Sequence, residues 1–98
     1  MSILVTVRIS NTIEAARRVR EDHPELGQEL GALLKKHGNI SHQRIYNDTE
    51  ILDLDEWESE EGFNAFLAEA KTIILKLSAL RGDAQPPQDG IWNIEGRR

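Results

Sequence analysis

Apolar and polar residues alternate in four short stretches of the chain, which predicts four β-strands. The first stretch, residues 3–9, is rich in β-branched side chains, which favour strands. Two more, at about 40–46 and 50–58, are separated by a short polar turn and predict a β-hairpin. The last, 91–95, follows a loop that Pro86-Pro87 excludes from helix interiors and central strands.

Apolar residues recur at steps of three and four in two longer stretches, which predicts amphipathic helices there. The first stretch covers residues 12–37, and Asn11 is its predicted N-cap. Pro24 interrupts this stretch, so we expect either a kink or two helices, the second with Pro24 in its first turn. The second stretch begins after Ser59, a strong N-cap, and ends at Gly82.

The resulting element order, β-α-β-β-α-β, is typical of the ferredoxin-like fold. We therefore predict an α+β protein with a four-stranded antiparallel sheet and two helices on one face. The 98 residues suffice for one domain of this kind, which we assign to residues 1–98.

Charge and composition exclude several functional classes. The chain has 12 Lys and Arg against 17 Asp and Glu, a net charge of −5, which argues against a nucleic-acid partner. It shows no basic leader with a long apolar run and no membrane-length apolar stretch, so we expect a cytoplasmic protein without a membrane partner. Cysteine is absent and the three histidines are scattered, so we expect no metal site.

The alternation also predicts which residues share a face of the sheet. A hairpin turn centred on Asp48-Thr49 pairs residues whose numbers sum to 97. Arg44 then lies opposite Asp53, His42 opposite Asp55, and Ile40 opposite Trp57. The carboxylate of Asp55 should raise the pKa of His42. The apolar set that we predict to face the helices is Ile3, Val5, Val7, Ile9, Ile45, Leu52, Leu54, Trp92 and Ile94.

The opposite face should combine ion pairs with large apolar side chains. Such a face is too apolar to remain in water, and a second copy of the same face would cover it. We therefore predict a homodimer in which the two sheets pack together. The residues assigned to this second face are Leu4, Thr6, Arg8, Ile40, His42, Arg44, Tyr46, Ile51, Asp53, Asp55, Trp57, Ile91, Asn93 and Glu95.

The segment HGNISHQRIYNDTEIL (37–52) and the following LDEWESEEGFNAFLAEA (54–70) resemble the dimeric α+β barrel family. Within it, the chain is most similar to antibiotic-biosynthesis monooxygenase-like domains, which commonly carry a Trp-Glu-Ser segment where the third strand enters the second long helix. Here that segment is Trp57-Glu58-Ser59, and an aromatic amphipathic helix with Phe63 and Phe66 follows. The resemblance implies a cofactor-free oxygenase that acts on phenolic or other aromatic substrates.

The resemblance also extends to haem-degrading members, whose characteristic residues can be compared with this chain. Those members use an Asn in the first strand, and a Trp and a His in the long helix. The corresponding positions here are Val7, Phe66 and Lys76. These departures point away from haem, so no cofactor is expected.

The candidate catalytic residues are His42 as a base and Asp55 as the carboxylate that orients it. The alternative is that both form a structural ion pair. Trp57 is a substrate-binding candidate, but the favoured interpretation is that it packs against Ile40 and the partner subunit. Tyr46 and Arg44 allow the same two interpretations, and Phe66 is a further substrate-binding candidate. The expected partners are a second copy of the chain and an aromatic small molecule. The rival interpretation is a non-catalytic ligand-binding or structural homodimer of the same fold.

Overall fold

In the computed structural model, which describes residues 2–97, the chain forms one four-stranded sheet and three helices. Met1 and Arg98 of the predicted domain lie outside the described residues. The elements are β1 (Ile3–Ile9), α1 (Ile13–Asp22), α2 (Pro24–Lys36), β2 (Asn39–Tyr46), β3 (Ile51–Trp57), α3 (Glu60–Arg81) and β4 (Gln88–Asn93).

The strand order is β2-β3-β1-β4 and every neighbouring pair is antiparallel. The helices pack against one face of this sheet, around a core built on β1, β3 and α3. This architecture confirms the predicted ferredoxin-like α+β fold. None of the helices in residues 2–97 is both long and apolar enough to cross a membrane.

Pro24 splits the first helical stretch into two helices rather than kinking one. α1 ends at Asp22 and Pro24 occupies the first turn of α2, where its missing N–H costs no helical hydrogen bond. The N-cap of α1 is Thr12, which accepts a hydrogen bond from the Ala15 N–H at 3.3 Å. The predicted N-cap, Asn11, instead donates to the carbonyl of Arg81 at 2.9 Å, so that prediction is wrong.

The long helix α3 begins and ends where the sequence predicts. The hydroxyl of Ser59 accepts the Gly62 N–H at 3.0 Å, and Gly82 ends the helix in the left-handed region at φ 75°. β4 covers Gln88–Asn93 instead of the predicted 91–95. It can start directly after Pro87 because it is an edge strand that pairs only with β1.

The loop between α3 and β4 is held by a buried carboxylate, that of Asp83. Arg81 donates two hydrogen bonds to it, and Asn11 and Ser78 donate one each. Burial by itself would raise the pKa of Asp83, but these hydrogen bonds together hold it below its ordinary value. The contact fixes the end of α3 to the start of α1, and so fixes the path of the chain into β4.

The predicted pairing within the hairpin is confirmed along most of its length. Arg44 lies opposite Asp53 and His42 opposite Asp55. A register shift between Asn39 and Ser41 ends this regular pairing, so Asn39, and not Ile40, lies opposite Trp57. The predicted Ile40–Trp57 pair is therefore wrong.

The assignment of β3 to the two faces of the sheet is reversed relative to the prediction. β1 pairs with β3 so that Val5 lies opposite Asp55 and Val7 opposite Asp53. Directly opposed residues project to the same face, so the two carboxylates face the helices with the valines. Their neighbour Leu54 projects to the open face, on the far side of the sheet from the helices.

The same correction applies to the other strands. Strand pairing also places on the helix-covered face these residues that were predicted to lie on the opposite face: His42, Arg44, Tyr46, Ile51, Trp57, Ile91 and Asn93. Side-chain alternation cannot reveal which face is inside when both faces of a strand carry apolar residues. The residues predicted to face the helices that instead lie on the open face are Ile45, Leu52, Leu54 and Trp92.

Candidate functional site

A cleft of about 1020 Å³ lies between the helix-covered face of the sheet and the helices. Its floor includes Val7, and the side chains of Leu30 and Leu34 line it from α2. The walls are mostly apolar, and charged side chains line the cleft both from the sheet and from α1 and α3. A concave, largely apolar site with a few placed polar groups is the usual form of a small-molecule site.

Two glycines keep the α2 side of this cleft open. Gly27 and Gly31 lie about one helical turn apart, and both line the cleft. A Cβ atom built on either glycine would meet no atom within 4 Å. The space in front of them therefore belongs to the cleft and is not filled by a packed neighbour.

A bidentate ion pair joins Arg44 on β2 to Asp53 on β3 at the floor of the cleft. Nε and Nη2 of Arg44 donate to the two oxygens of Asp53 at 2.6 and 2.8 Å. Asp53 is only 7% exposed, so this pairing offsets much of the cost of removing the carboxylate from water. The hydrogen bonds to Asp53 also raise the pKa of Arg44, which remains a cation.

His42 makes the neighbouring pair, with Nδ1 against Oδ1 of Asp55. The hydrogen bond to Asp55 raises the pKa of His42, and this effect exceeds the opposing effect of desolvation. The contact fixes the orientation of the imidazole through Nδ1 and leaves Nε2 for another partner. Both side chains line the cleft, so the structure brings these two predicted catalytic residues together there.

Trp57 lies at the end of β3 and is the largest fully buried side chain among residues 2–97. Its ring packs against Phe63 and Phe66, with centroid distances of 5.5 and 5.0 Å. Its indole N–H is buried and has no hydrogen-bond acceptor within the described part of the chain. The expectation that Trp57 packs against Ile40 and a partner subunit is wrong, because Trp57 lines the cleft together with Phe66.

Tyr46 does not join the other candidates. It lies at the end of β2, is 55% exposed and does not line the cleft. Its hydroxyl accepts a hydrogen bond from Arg17 of α1 at 3.4 Å, and the same guanidinium lies 5.5 Å from its ring centroid. The structure therefore separates Tyr46 from His42, Arg44 and Trp57.

Asp89 is a cleft residue that sequence reasoning missed. It lies on β4 directly opposite Val7, and thus projects to the helix-covered face. Burial raises the pKa of its carboxylate. The signal was an acidic residue close to Pro86-Pro87, but the predicted loop placed it outside the sheet.

No group of three or more potential metal ligands comes together within residues 2–97. The polar atoms that the cleft offers to a bound molecule are those of side chains. They include the free ring nitrogen of His42, the part of the Arg44 guanidinium that Asp53 does not bind, and the carboxylate of Asp89, whereas the indole N–H of Trp57 is itself buried.

No protein-family model matches the chain, and no curated protein sequence matches it. Solved structures do match it over nearly its whole length. A monooxygenase from the ActVA-Orf6 gene of Streptomyces coelicolor, in complex with nanaomycin D, superposes with a TM-score of 0.73 at 18% identity, covering 99% of this chain and 89% of that one.

Two further structures give the same result. SnoaB, a cofactor-independent oxygenase from Streptomyces nogalater, has a TM-score of 0.67 at 13% identity, covering 98% of this chain and 95% of that one. A dimeric ferredoxin-like protein from an uncultured marine organism has a TM-score of 0.72 at 15% identity, covering 99% and 90%. The resemblance to antibiotic-biosynthesis monooxygenase-like proteins is thus confirmed at the level of the fold.

The ion pair of His42 gives a first testable prediction, concerning stability and pH. The pKa of His42 is raised in the folded protein above the ordinary value of 6.5. The pair therefore stabilises the fold fully below about pH 6.5, and this stabilisation is lost as the pH rises through the raised pKa. The loss of unfolding free energy caused by His42→Gln should be larger at about pH 5.5 than at about pH 9.

Chemical denaturation of both proteins across this pH range measures the difference. The same substitution made in an Asp55→Asn background is the control, since the partner carboxylate is then neutral. There the difference should vary much less with pH. A difference in the wild-type background that stays constant or grows with pH would contradict the ion pair.

Proposed function

We propose that the chain binds an aromatic small molecule in the cleft and oxidises it with molecular oxygen, without a cofactor. The observation that carries this proposal is the buried indole N–H of Trp57, which has no acceptor within residues 2–97. An unsatisfied buried donor costs about 1–3 kcal/mol, and buried tryptophans usually find a partner. Because this N–H is closed to solvent in the ligand-free protein, an oxygen atom of a ligand would satisfy it as the side chains packed around the ring, such as Phe66, move.

The size and lining of the cleft support an aromatic ligand. Its volume of about 1020 Å³ is at the upper end of small-molecule sites, which span about 300–1000 Å³. The rings of Trp57 and Phe66 offer faces and edges for packing against a flat ring system. Leu30 and Leu34 would cover it from α2.

The polar groups support deprotonation as the chemical step. Asp55 holds Nδ1 of His42, so Nε2 would take the proton of a phenolic hydroxyl and Asp55 would stabilise the imidazolium that forms. The phenolate then supplies electrons to molecular oxygen. One oxygen atom replaces the hydrogen of a ring C–H bond to give a quinone, and the other leaves as water with that hydrogen and the phenolic proton. Arg44 would bind an oxygen of the substrate through the part of its guanidinium that Asp53 does not occupy.

The similar structures support the same class of chemistry, since one is a cofactor-independent oxygenase and another is a monooxygenase in complex with nanaomycin D. The second candidate function is non-catalytic: a ligand-binding or structural protein of this fold. The observation that favours it is that both inward carboxylates already have cationic partners. Oxygen consumption with an aromatic substrate would distinguish the oxygenase from the non-catalytic function.

We further propose that the protein is a homodimer that packs through the open face of its sheet. This face presents Trp92 at 58% and Ile45 at 43% exposure, with Leu4, Leu52 and Leu54 beside them. A contiguous apolar surface of this kind favours a partner that covers it. The dimeric ferredoxin-like protein of the same fold supports a second copy as that partner. The ion pairs, which lie on the other face, take no part in the contact.

Trp57→Phe tests the observation on which the proposal rests. The substitution keeps an aromatic ring but removes the N–H, so binding of a ligand that accepts this hydrogen bond should weaken by about tenfold. Thermal stability should fall, because Phe fills less of this fully buried position than the indole does, so binding is compared at a temperature where both proteins are folded. Calorimetric titration with hydroxylated naphthalenes and anthraquinones measures binding. Equal affinities for the two proteins would contradict a ligand contact with the indole.

Oxygen uptake tests the proposed reaction. The wild-type protein should consume oxygen with a panel of hydroxylated fused aromatics, and His42→Ala should lower the rate by about a hundredfold, the contribution of a general base. The rate should rise with pH through the pKa of His42, because only the neutral imidazole accepts a proton. Equal rates for the two proteins would exclude His42 as the base. Binding without oxygen uptake across the panel would favour the non-catalytic function.

Light scattering over a dilution series tests the dimer. The mass should be about twice the 11.1 kDa of one chain and should persist on dilution. Ile45→Asp places a charge on the open face and should raise the dissociation constant by at least about tenfold. Leu80→Asp, on α3 and 41% exposed, is the matched control and should remain dimeric. A wild-type monomer would overturn the proposed assembly.

A further inference from the structure

On the sheet, the polar groups that line the cleft differ in kind between its two sides, while the helices and the junction between α1 and α2 add further donors: Arg20, His23, Asn64, Lys71 and Arg81. The cleft-lining residues of β2 and β3 carry hydrogen-bond donors: the imidazole of His42, the guanidinium of Arg44 and the indole N–H of Trp57, which is itself buried. The carboxylates on that side, Asp53 and Asp55, are occupied by Arg44 and His42. We call these three donors the donor side.

On the opposite side, β4 carries Asp89. Its carboxylate makes no hydrogen bond or ion pair with any other side chain that the structure describes. Asp89 is an exposed residue of the edge strand β4, and the partial burial of its carboxylate at the cleft raises its pKa. The carboxylate oxygens of Asp89 thus line the cleft and are available to accept a hydrogen bond from a ligand.

The pairing of the strands fixes how far apart the two sides are. Arg44 lies opposite Asp53, Asp53 opposite Val7, and Val7 opposite Asp89, so these residues form one row across the sheet. Neighbouring strands are about 4.8 Å apart, so the backbones at the two ends of the row are separated by about 14 Å. Between the Arg44–Asp53 ion pair at one end of the row and Asp89 at the other lies the apolar side chain of Val7.

We propose that Asp89 accepts a hydrogen bond from a hydroxyl of the bound ligand and thereby fixes the direction in which the ligand lies. The complementary molecule is flat and elongated, with a carbonyl or other acceptor oxygen at one end and a hydroxyl at the other. The acceptor end lies against the donor side and the hydroxyl end against Asp89. This inference rests on the proposed function, because it takes the cleft to be the ligand site.

The roof of the cleft suits such a ligand. A flat ring system that crosses the sheet passes beneath α2, where Gly27 and Gly31 leave open space. Neither glycine has a backbone conformation that excludes other residues, so larger side chains fit the helix there. Gly31→Leu therefore obstructs the cleft, and Gly31→Ala is its matched control.

The experiment uses a naphthol that carries an acetyl group at the opposite end of the ring system, together with its methyl ether. The naphthol has a hydroxyl that can donate a hydrogen bond to Asp89, and the methyl ether lacks this donor. Calorimetric titration should show the wild-type protein binding the naphthol about tenfold more tightly than the ether. Asp89→Ala should reduce this preference to less than about twofold, and Asp89→Asn, which keeps a neutral acceptor, should give an intermediate value. Asp48→Ala, in the hairpin turn, should keep the full preference.

The Gly31 variants separate failure of this inference from failure of the proposed function. Gly31→Leu should abolish binding of both compounds, and Gly31→Ala should bind them as the wild-type protein does. If Gly31→Leu abolishes binding but Asp89→Ala keeps the preference for the naphthol, the cleft remains the ligand site and the role of Asp89 is overturned. If the wild-type protein binds neither compound, or Gly31→Leu binds both unchanged, the ligand site and the role of Asp89 are overturned together.

Discussion

Two carboxylates on the covered face of β3 constrain the rest of this structure. Asp53 and Asp55 are each 7% exposed, and neither could be buried as an anion without a cationic partner. Arg44 and His42 on the adjacent strand supply those partners, and thereby select one register of the hairpin. A shift of β2 by one residue against β3 would leave both anions without partners, because it would move His42 and Arg44 to the other face of the sheet.

The same pairs explain why a cleft persists between the sheet and the helices. Leucines from α2 cannot close over a charged floor without removing the remaining polar atoms of the pairs from water. The apolar core forms to one side of them, where Trp57 packs with Phe63 and Phe66. The molecule thus divides its covered face into a packed region and an open one. The indole N–H of Trp57 lies within this arrangement without an acceptor among the described residues.

Local signals made much of the fold predictable. Pro24 and Ser59 act through backbone geometry and capping, which depend on few neighbours, and the hairpin register follows from a short turn and complementary charges. These features set the order of the elements and brought His42 next to Asp55. Predicting these features required no information about the rest of the sheet.

The face that β3 presents to the helices could not be predicted in the same way. It depends on the pairing of Val5 with Asp55, residues separated by 50 positions in sequence, and the rule that apolar residues lie inside favoured Leu52 and Leu54. The free indole N–H is likewise a property of three-dimensional packing. Asp89 was missed because an edge strand begins directly after a proline, in a segment whose composition indicates a loop.

The chain's two tryptophans lie in opposite environments, which has a consequence for spectroscopy. Trp57 is 1% exposed and lines the cleft, whereas Trp92 is 58% exposed on the open face, where its N–H donates to Thr6 at 2.9 Å. In a single chain the two indoles should therefore emit at different wavelengths, blue-shifted for Trp57 and red-shifted for Trp92. A quencher dissolved in water should reach Trp92 first in the single chain, and the proposed dimer should shield Trp92 and shift its emission to the blue, while a molecule that enters the cleft should quench Trp57. The protein thus carries one intrinsic fluorophore for each face of its sheet, so events on the two faces can be followed separately in a single emission spectrum.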